Sequence, residues 1–221
     1  MYYFDKQAAD KAISFIETFI THTKGELTGK PFILEDWQKE IVGNIFGWKN
    51  KETDLRKYRT VFIEVPRKNG KTTLCAAIGI YMLFADRERG AEIYAAAGDR
   101  NQAGIVFEIA KGMIANNVEL SSRGKVFRNS ITNESKGNFF QAISSDSKTK
   151  HGFNCNCLIF DELHTQPNRD LWDTLTTSTG ARREPLTIAI TTAGYDRQSI
   201  CYELYNYAKR VLDKSISDES F

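Results

Sequence analysis

Four short runs, TVFIEV at 60–65, EIYAAA at 92–97, CLIF at 157–160 and LTIAITTA at 186–193, lack the polar alternation of a half-exposed strand. A strand of that kind is buried on both faces. Helical stretches separate the runs: KTTLCAAIGIYMLFA follows the first, and the second leads into a segment opened by Asp99 with Gln102 three residues on, a capping-box spacing. Short strands alternating with helices pair in parallel, and the helices cover both faces of the sheet. The expected fold class is therefore α/β with a mostly parallel central sheet. Ahead of it, ADKAISFIETFITH puts Ala9, Ile13, Ile16 and Ile20 at helical spacing, and EDWQKEIVGNIF does the same for Trp37, Ile41 and Ile45. A hairpin-like section is expected around KVFRNSITNESKGNFFQAIS.

At 221 residues the chain suits one large domain, divided as a helical amino-terminal portion over 1–55 and a core over 56–221. Its 41% hydrophobic and 26% charged residues argue against extensive disorder. The longest apolar run, LCAAIGIYMLFA, is about a dozen residues where a bilayer crossing needs roughly twenty, so no membrane partner is expected. The opening MYYFDKQAAD lacks a signal-peptide pattern, which makes a cytosolic chain the default. A net charge of +2 is too mild to identify a nucleic-acid binder. Cys75, Cys155, Cys157 and Cys201 are spaced unlike a disulfide framework and read as buried thiols. His151, Cys155, Cys157 and His164 form a conceivable zinc quartet, but the one-residue gap between the cysteines is not the usual ligand spacing.

The first strand runs into PRKNGKTT. Beyond the carboxyl end of a parallel strand this is where a ligand sits. Gly70 allows close backbone approach, Lys71 can reach the β and γ phosphates of a nucleotide, and Thr72 offers a hydroxyl to magnesium. Where the strict GxxxxGK[ST] pattern has its first glycine the chain has Val65, so the segment by itself also reads as a strand, a basic turn and a helix. The second signal is CLIFDELH. It sets Asp161 and Glu162 at the tip of a buried strand, where an unpaired acid is costly unless a cation compensates. Such a pair also occurs as a plain helix cap. Bound to a nucleotide, Asp161 would hold the magnesium shell while Glu162 orients and deprotonates the attacking water.

PRKNGKTT, YAAAGDRNQAGIVF, SSDSKTKHGFNCNCLIFDELH and TIAITTAG together resemble the large terminase subunit of tailed bacteriophages, a motor that packages double-stranded DNA into procapsids. The resemblance covers nearly the whole chain, and the family tolerates a phosphate loop without the first glycine. It implies a P-loop NTPase of the ASCE type, with ATP and Mg2+ as substrate and cofactor. Pro66, Arg67, Lys68, Asn69, Gly70, Lys71, Thr72 and Thr73 would hold ATP, and Thr72 and Asp161 the metal. Arg67 resembles the family's loop arginine, aimed at the γ phosphate, and Lys71 and Glu162 complete the catalytic set. Thr191, Thr192 and Gly194 resemble the coupling motif, which in this fold lies on the strand between the phosphate loop's strand and the acidic one. Gln38, near Phe32 and Trp37, is similar to the adenine-recognition segment, and it also reads as an ordinary helix-surface glutamine.

The resemblance further implies a homo-oligomeric ring, a monomer when the domain is isolated, and portal and small-subunit partners in the cytoplasm of the infected host. An arginine supplied in trans is expected, with Arg100, Arg123 and Arg128 as candidates. Arg123, Lys125, Arg128, Lys148 and Lys150 read equally as a DNA contact or as solvated turns. No second strand-borne acid cluster follows Glu162, so ATP hydrolysis without DNA cutting is expected, the family's nuclease domain being absent from the sequence. The rival readings are a helicase-like DNA-remodelling ATPase and a non-catalytic, ATP-dependent assembly module.

Overall fold

The computed structural model describes residues 1–145, 152–192, 194 and 196–221, with Arg100 described by its backbone alone. The chain opens with β1 (Tyr2–Phe4), α1 (Lys6–Phe19), α2 (Asp36–Gly47) and β2 (Trp48–Asn50), and β1 pairs antiparallel with β2. Asp5 starts α1 by accepting from the Ala8 amide at 3.0 Å, and its other carboxylate oxygen takes Lys49 Nζ at 2.7 Å. The face that α1 buries is Ala9, Ala12 and Ile16, continued by Ile20, while Ile13 sits half-buried at its flank. Likewise α2 buries Gln38, Val42, Ile45 and Phe46, and the expected Trp37 and Ile41 are half-buried beside them. Its amino terminus carries the reciprocal capping box, with Glu35 and Gln38 exchanging side-chain and backbone bonds.

The core follows as β3 (Thr60–Glu64), α3 (Lys71–Phe84), β4 (Glu92–Ala97), α4 (Arg100–Ala115), α5 (Val118–Arg123), β5 (Lys125–Val126), β6 (Ser130–Asn133), β7 (Asn138–Ser144), β8 (Cys155–Asp161), a 3-10 turn (Leu163–Thr165), α6 (Asp170–Thr177), β9 (Leu186–Thr191) and α7 (Ile200–Leu212). Seven strands form one sheet in the order β3-β9-β8-β4-β7-β6-β5. The first five run parallel; β6 and β5 add an antiparallel edge. The expected hairpin is β6–β7, and β7 joins it to the parallel sheet by pairing with β4.

Both faces of the sheet are covered. Along β8, Cys157 and Ile159 enter one hydrophobic cluster with Leu74, Ile78 and Met82 of α3, whereas Leu158 and Phe160 enter the other with Leu171, Trp172 and Ile200 of α6 and α7. No position on β8 meets water, which is why the polar alternation is missing there, whereas β3 at the edge of the sheet is mostly half-buried and ends on the exposed Glu64. The first cluster also takes in Ile16, Ile20, Val42 and Phe46, so the amino-terminal helices pack on the same core as α3. Helix α3 is buried nearly all round, and Gly79 lets it approach the sheet: a Cβ there would lie 2.9 Å from Phe140 Cε1. At its carboxyl end, the amides of Asn133 and Asn138 both donate to the Leu83 carbonyl at 3.1 Å, satisfying a group the helix leaves unpaired.

All four cysteines are free and buried, and burial pushes their thiols up. A register shift between Glu92 and Ile93 sends Cys155 and Cys157 into different clusters, which separates two members of the conceivable zinc quartet; His151 lies outside the described residues. Among the described residues no helix is long and apolar enough to cross a membrane.

Candidate nucleotide site at the carboxyl ends of β3, β8 and β9

Strand pairing continues one residue past β3, where the Val65 amide donates to the Thr191 carbonyl at 3.1 Å. The chain then turns through Pro66–Gly70. Lys68 (φ 68) and Gly70 (φ 70, ψ 13) are both left-handed, and the Asn69 side chain donates to the carbonyls of Pro66 (3.1 Å) and Arg67 (3.4 Å). The loop thus closes on its own asparagine amide without the missing first glycine. Gly70 caps α3 with no side-chain bond, so the first-turn amides of Lys71, Thr72 and Thr73 remain available to an anion, with the helix dipole behind them.

The two motifs meet. Thr72 Oγ1 donates to Asp161 Oδ2 at 3.1 Å, and Lys71 Nζ lies 2.8 Å from Glu162 Oε1. Asp161 is buried at the tip of β8; that burial raises its pKa, opposed by the Thr72 hydrogen bond and reinforced by the nearby Glu162 charge. Its Oδ1 accepts from the Glu162 amide at 3.0 Å. Glu162 itself is left-handed (φ 51, ψ 51), a strained conformation for a residue with a Cβ. Its Oε2 is buried without a hydrogen bond, and His164 Nδ1 stands 3.3 Å from it. An acid with one oxygen on a lysine and the other unsatisfied is incomplete without a further partner.

Strand β9 lies between β3 and β8. Thr191 is fully buried; its hydroxyl donates to the Thr192 carbonyl at 2.8 Å and meets His164 Nδ1 at 2.8 Å. Gly194 packs on the same histidine, since a Cβ there would be 3.0 Å from His164 Cβ.

Gln38 is 2% exposed and not a surface residue. Its Oε1 is held by the Glu35 amide at 3.0 Å, and its Nε2 faces the phosphate loop, 3.6 Å from where a Cβ at Gly70 would stand. A cleft of about 750 Å3 opens there, lined by Phe32, Trp37, Gln38, Lys68, Asn69 and Gly70. Arg67 is exposed beside it and pairs with no acid among the described residues. The remaining basic candidates fall elsewhere. Arg123 pairs with Glu119 (3.7 Å) and Lys125 with Glu134 (2.8 Å), and with exposed Arg128 they flank β5, the edge of the sheet farthest from β3. Lys148, Lys150 and the Arg100 side chain lie outside the described residues. His164 was not foreseen at this site; its place three residues after Asp161 in DELH was the available signal, but its partner Thr191 is 27 residues further on.

The family model for the terminase large subunit, ATPase domain, matches residues 36–210. The chain belongs to that family. Among curated relatives of this terminase ATPase domain, the large subunit of Enterobacteria phage HK97 is 31% identical over 192 residues, covering 83% of the chain and 36% of the relative. Protein YmfN of Escherichia coli (strain K12) is 39% identical over 71 residues, 32% of the chain and 16% of that relative. The crystal structure of the HK97 large terminase superposes with a TM-score of 0.79 at 25% identity, covering 94% of the chain and 42% of that structure. The Thermus phage P74-26 large terminase ATPase domain gives 0.53 at 19% identity over 66% of the chain and 63% of its own, a likeness of fold. The terminase ATPase domain thus spans about a third of the length of its HK97 relative.

Proposed function

We propose that the chain hydrolyses ATP at this site and that hydrolysis drives double-stranded DNA into procapsids. The observation carrying this reading is the convergence of Lys71 on Glu162 and of Thr72 on Asp161 at the carboxyl ends of β3 and β8. The first-turn amides of α3 and the Lys71 ammonium bind the phosphates, and the cleft beside Gln38 takes the base. The exposed Arg67 guanidinium reaches the γ phosphate as charge develops on it. Glu162 accepts a proton from the attacking water; the oxygen of that water bonds to the γ phosphorus as the bond to the β-γ bridging oxygen breaks, giving ADP and phosphate.

Thr72 and Asp161 fit Mg2+, because both offer hard oxygen and the buried Asp161 carboxylate has too little positive charge near it. Bound there, the ion would neutralise charge on the β and γ phosphates. Without nucleotide, Lys71 neutralises Glu162. Phosphate binding draws Lys71 away and leaves Glu162 free to act as base.

The motor works as a homo-oligomeric ring with portal and small-subunit partners in the host cytoplasm, and Thr191, Thr192 and Gly194 report γ-phosphate loss through β9. The proposed reaction ends at phosphate release. Phosphate release measured beside ATP binding tests the reading: the wild-type chain binds and turns over, whereas Glu162→Gln binds and does not. Equal turnover by both would refute it.

A further inference from the structure

We infer that His164 is a positioning residue for Glu162 and links it to β9, an inference that rests on the hydrolytic reading above. The Thr191 hydroxyl owns one proton, and it is committed to the Thr192 carbonyl at 2.8 Å. Toward every other neighbour Thr191 can only accept. Three such neighbours are present: Cys201 Sγ of α7 at 3.7 Å, the His164 backbone amide at 3.4 Å and, closest, His164 Nδ1 at 2.8 Å. With that proton on the Thr192 carbonyl, the short contact assigns the histidine's proton to Nδ1.

That same Nδ1 stands 3.3 Å from Glu162 Oε2, the buried oxygen without a hydrogen bond. Lys71, Glu162, His164 and Thr191 thus form one row, with the cation at one end and β9 at the other. Once phosphate takes Lys71, Glu162 loses its one close cation among the described residues, and the Nδ1 proton becomes its nearest described donor. By turning from Thr191 to Oε2, His164 holds the carboxylate with its other oxygen aimed at the water. The Thr191 hydroxyl then loses a donor, so the state of the acid is felt on β9.

The backbone holds the ring in place for this. Thr165 donates its amide to the Glu162 carbonyl at 2.8 Å, and Gly98 makes room for the turn, since a Cβ there would come within 2.5 Å of the Thr165 carbonyl oxygen. Gly194 abuts His164 Cβ.

The chain has three histidines, so long-range proton–nitrogen spectra of 15N-labelled protein resolve the ring, with His164→Asn supplying the assignment. Without nucleotide the ring should show the Nδ1–H tautomer, and Thr191→Val should abolish that preference. In turnover, His164→Ala should lose about 10- to 100-fold in kcat with ATP affinity within about twofold. His164→Asn, whose amide restores an N–H near the Nδ1 position, should recover most of it. An Nε2–H tautomer overturns the inference, as does His164→Ala turning over at the wild-type rate while Glu162→Gln is inactive. Should His164→Ala fail to fold, the wild-type tautomer and the Asn variant decide. If wild type and Glu162→Gln turn over alike, the hydrolytic reading fails and takes the positioning role with it, but the tautomer still reports the Thr191 contact separately.

Discussion

Lys71 Nζ lies 2.8 Å from Glu162 Oε1, so the proposed phosphate-binding cation and the proposed base neutralise each other in the nucleotide-free chain. Glu162→Gln removes the base and loosens the lysine together. Turnover should fall at least about 100-fold while ATP affinity stays equal or improves, measured by phosphate release and a binding isotherm.

Lys71→Ala should act on both steps, weakening ATP binding and hydrolysis together, because the lysine meets phosphate in ground state and transition state alike. It also strands Glu162 without its cation. A variant that kept wild-type affinity would show that Lys71 does not touch the nucleotide.

Asp161 carries a pH signature. Burial raises its pKa in the folded state above that of the unfolded chain, so the folded state holds the proton more tightly. The stability this contributes is full below the unfolded carboxylate range and is lost as pH rises through the folded value. Asp161→Asn, neutral throughout, should therefore raise Tm at neutral pH, and the gain should shrink on acidification. Mg-ATP should raise the Tm of the wild type but not of the variant, a pair of melting curves that tests both halves.

Gly98→Ala should slow turnover without altering a residue that meets the nucleotide. A Cβ at 98 would lie 2.5 Å from the Thr165 carbonyl oxygen, a backbone atom that cannot swing aside. Displacing that turn moves Glu162 and His164 together. The expected loss is about tenfold or more in kcat with a destabilisation of about 1–3 kcal/mol, read from kinetics and denaturant melts.

Strand alternation and the apolar runs were legible because burial on both faces leaves its mark residue by residue, as Cys157 to Phe160 show. The acids and Gly70 were legible through local spacing. The β1–β2 ribbon was not, since three-residue strands fall below any periodicity. The way the loop closes was hidden as well: it depends on left-handed Lys68 and the Asn69 side chain, residue types that announce neither role. Spacing at Asp99 and Gln102 suggested a capping box, and Asp99 does accept from the amides of Asn101 and Gln102, but the reciprocal pair described in the structure is Glu35 and Gln38. The same three-residue spacing stands at 35–38 as E-x-x-Q, and the Gln38 it sets in the box is buried. His164 and Thr191 could be joined only by the fold, which places β9 against β8.

Strand β3 ends the sheet. Apart from the Ser220 carbonyl, which accepts from the amides of Arg59 and Thr60 at its start, its described lateral support is β9. The phosphate loop is thus a bridge with unlike abutments: one foot stands on an edge strand braced by the strand that bears Thr191, the other on the buried α3. A load applied to the loop divides between them, and a small tilt of the edge strand shifts the loop relative to the acids on β8.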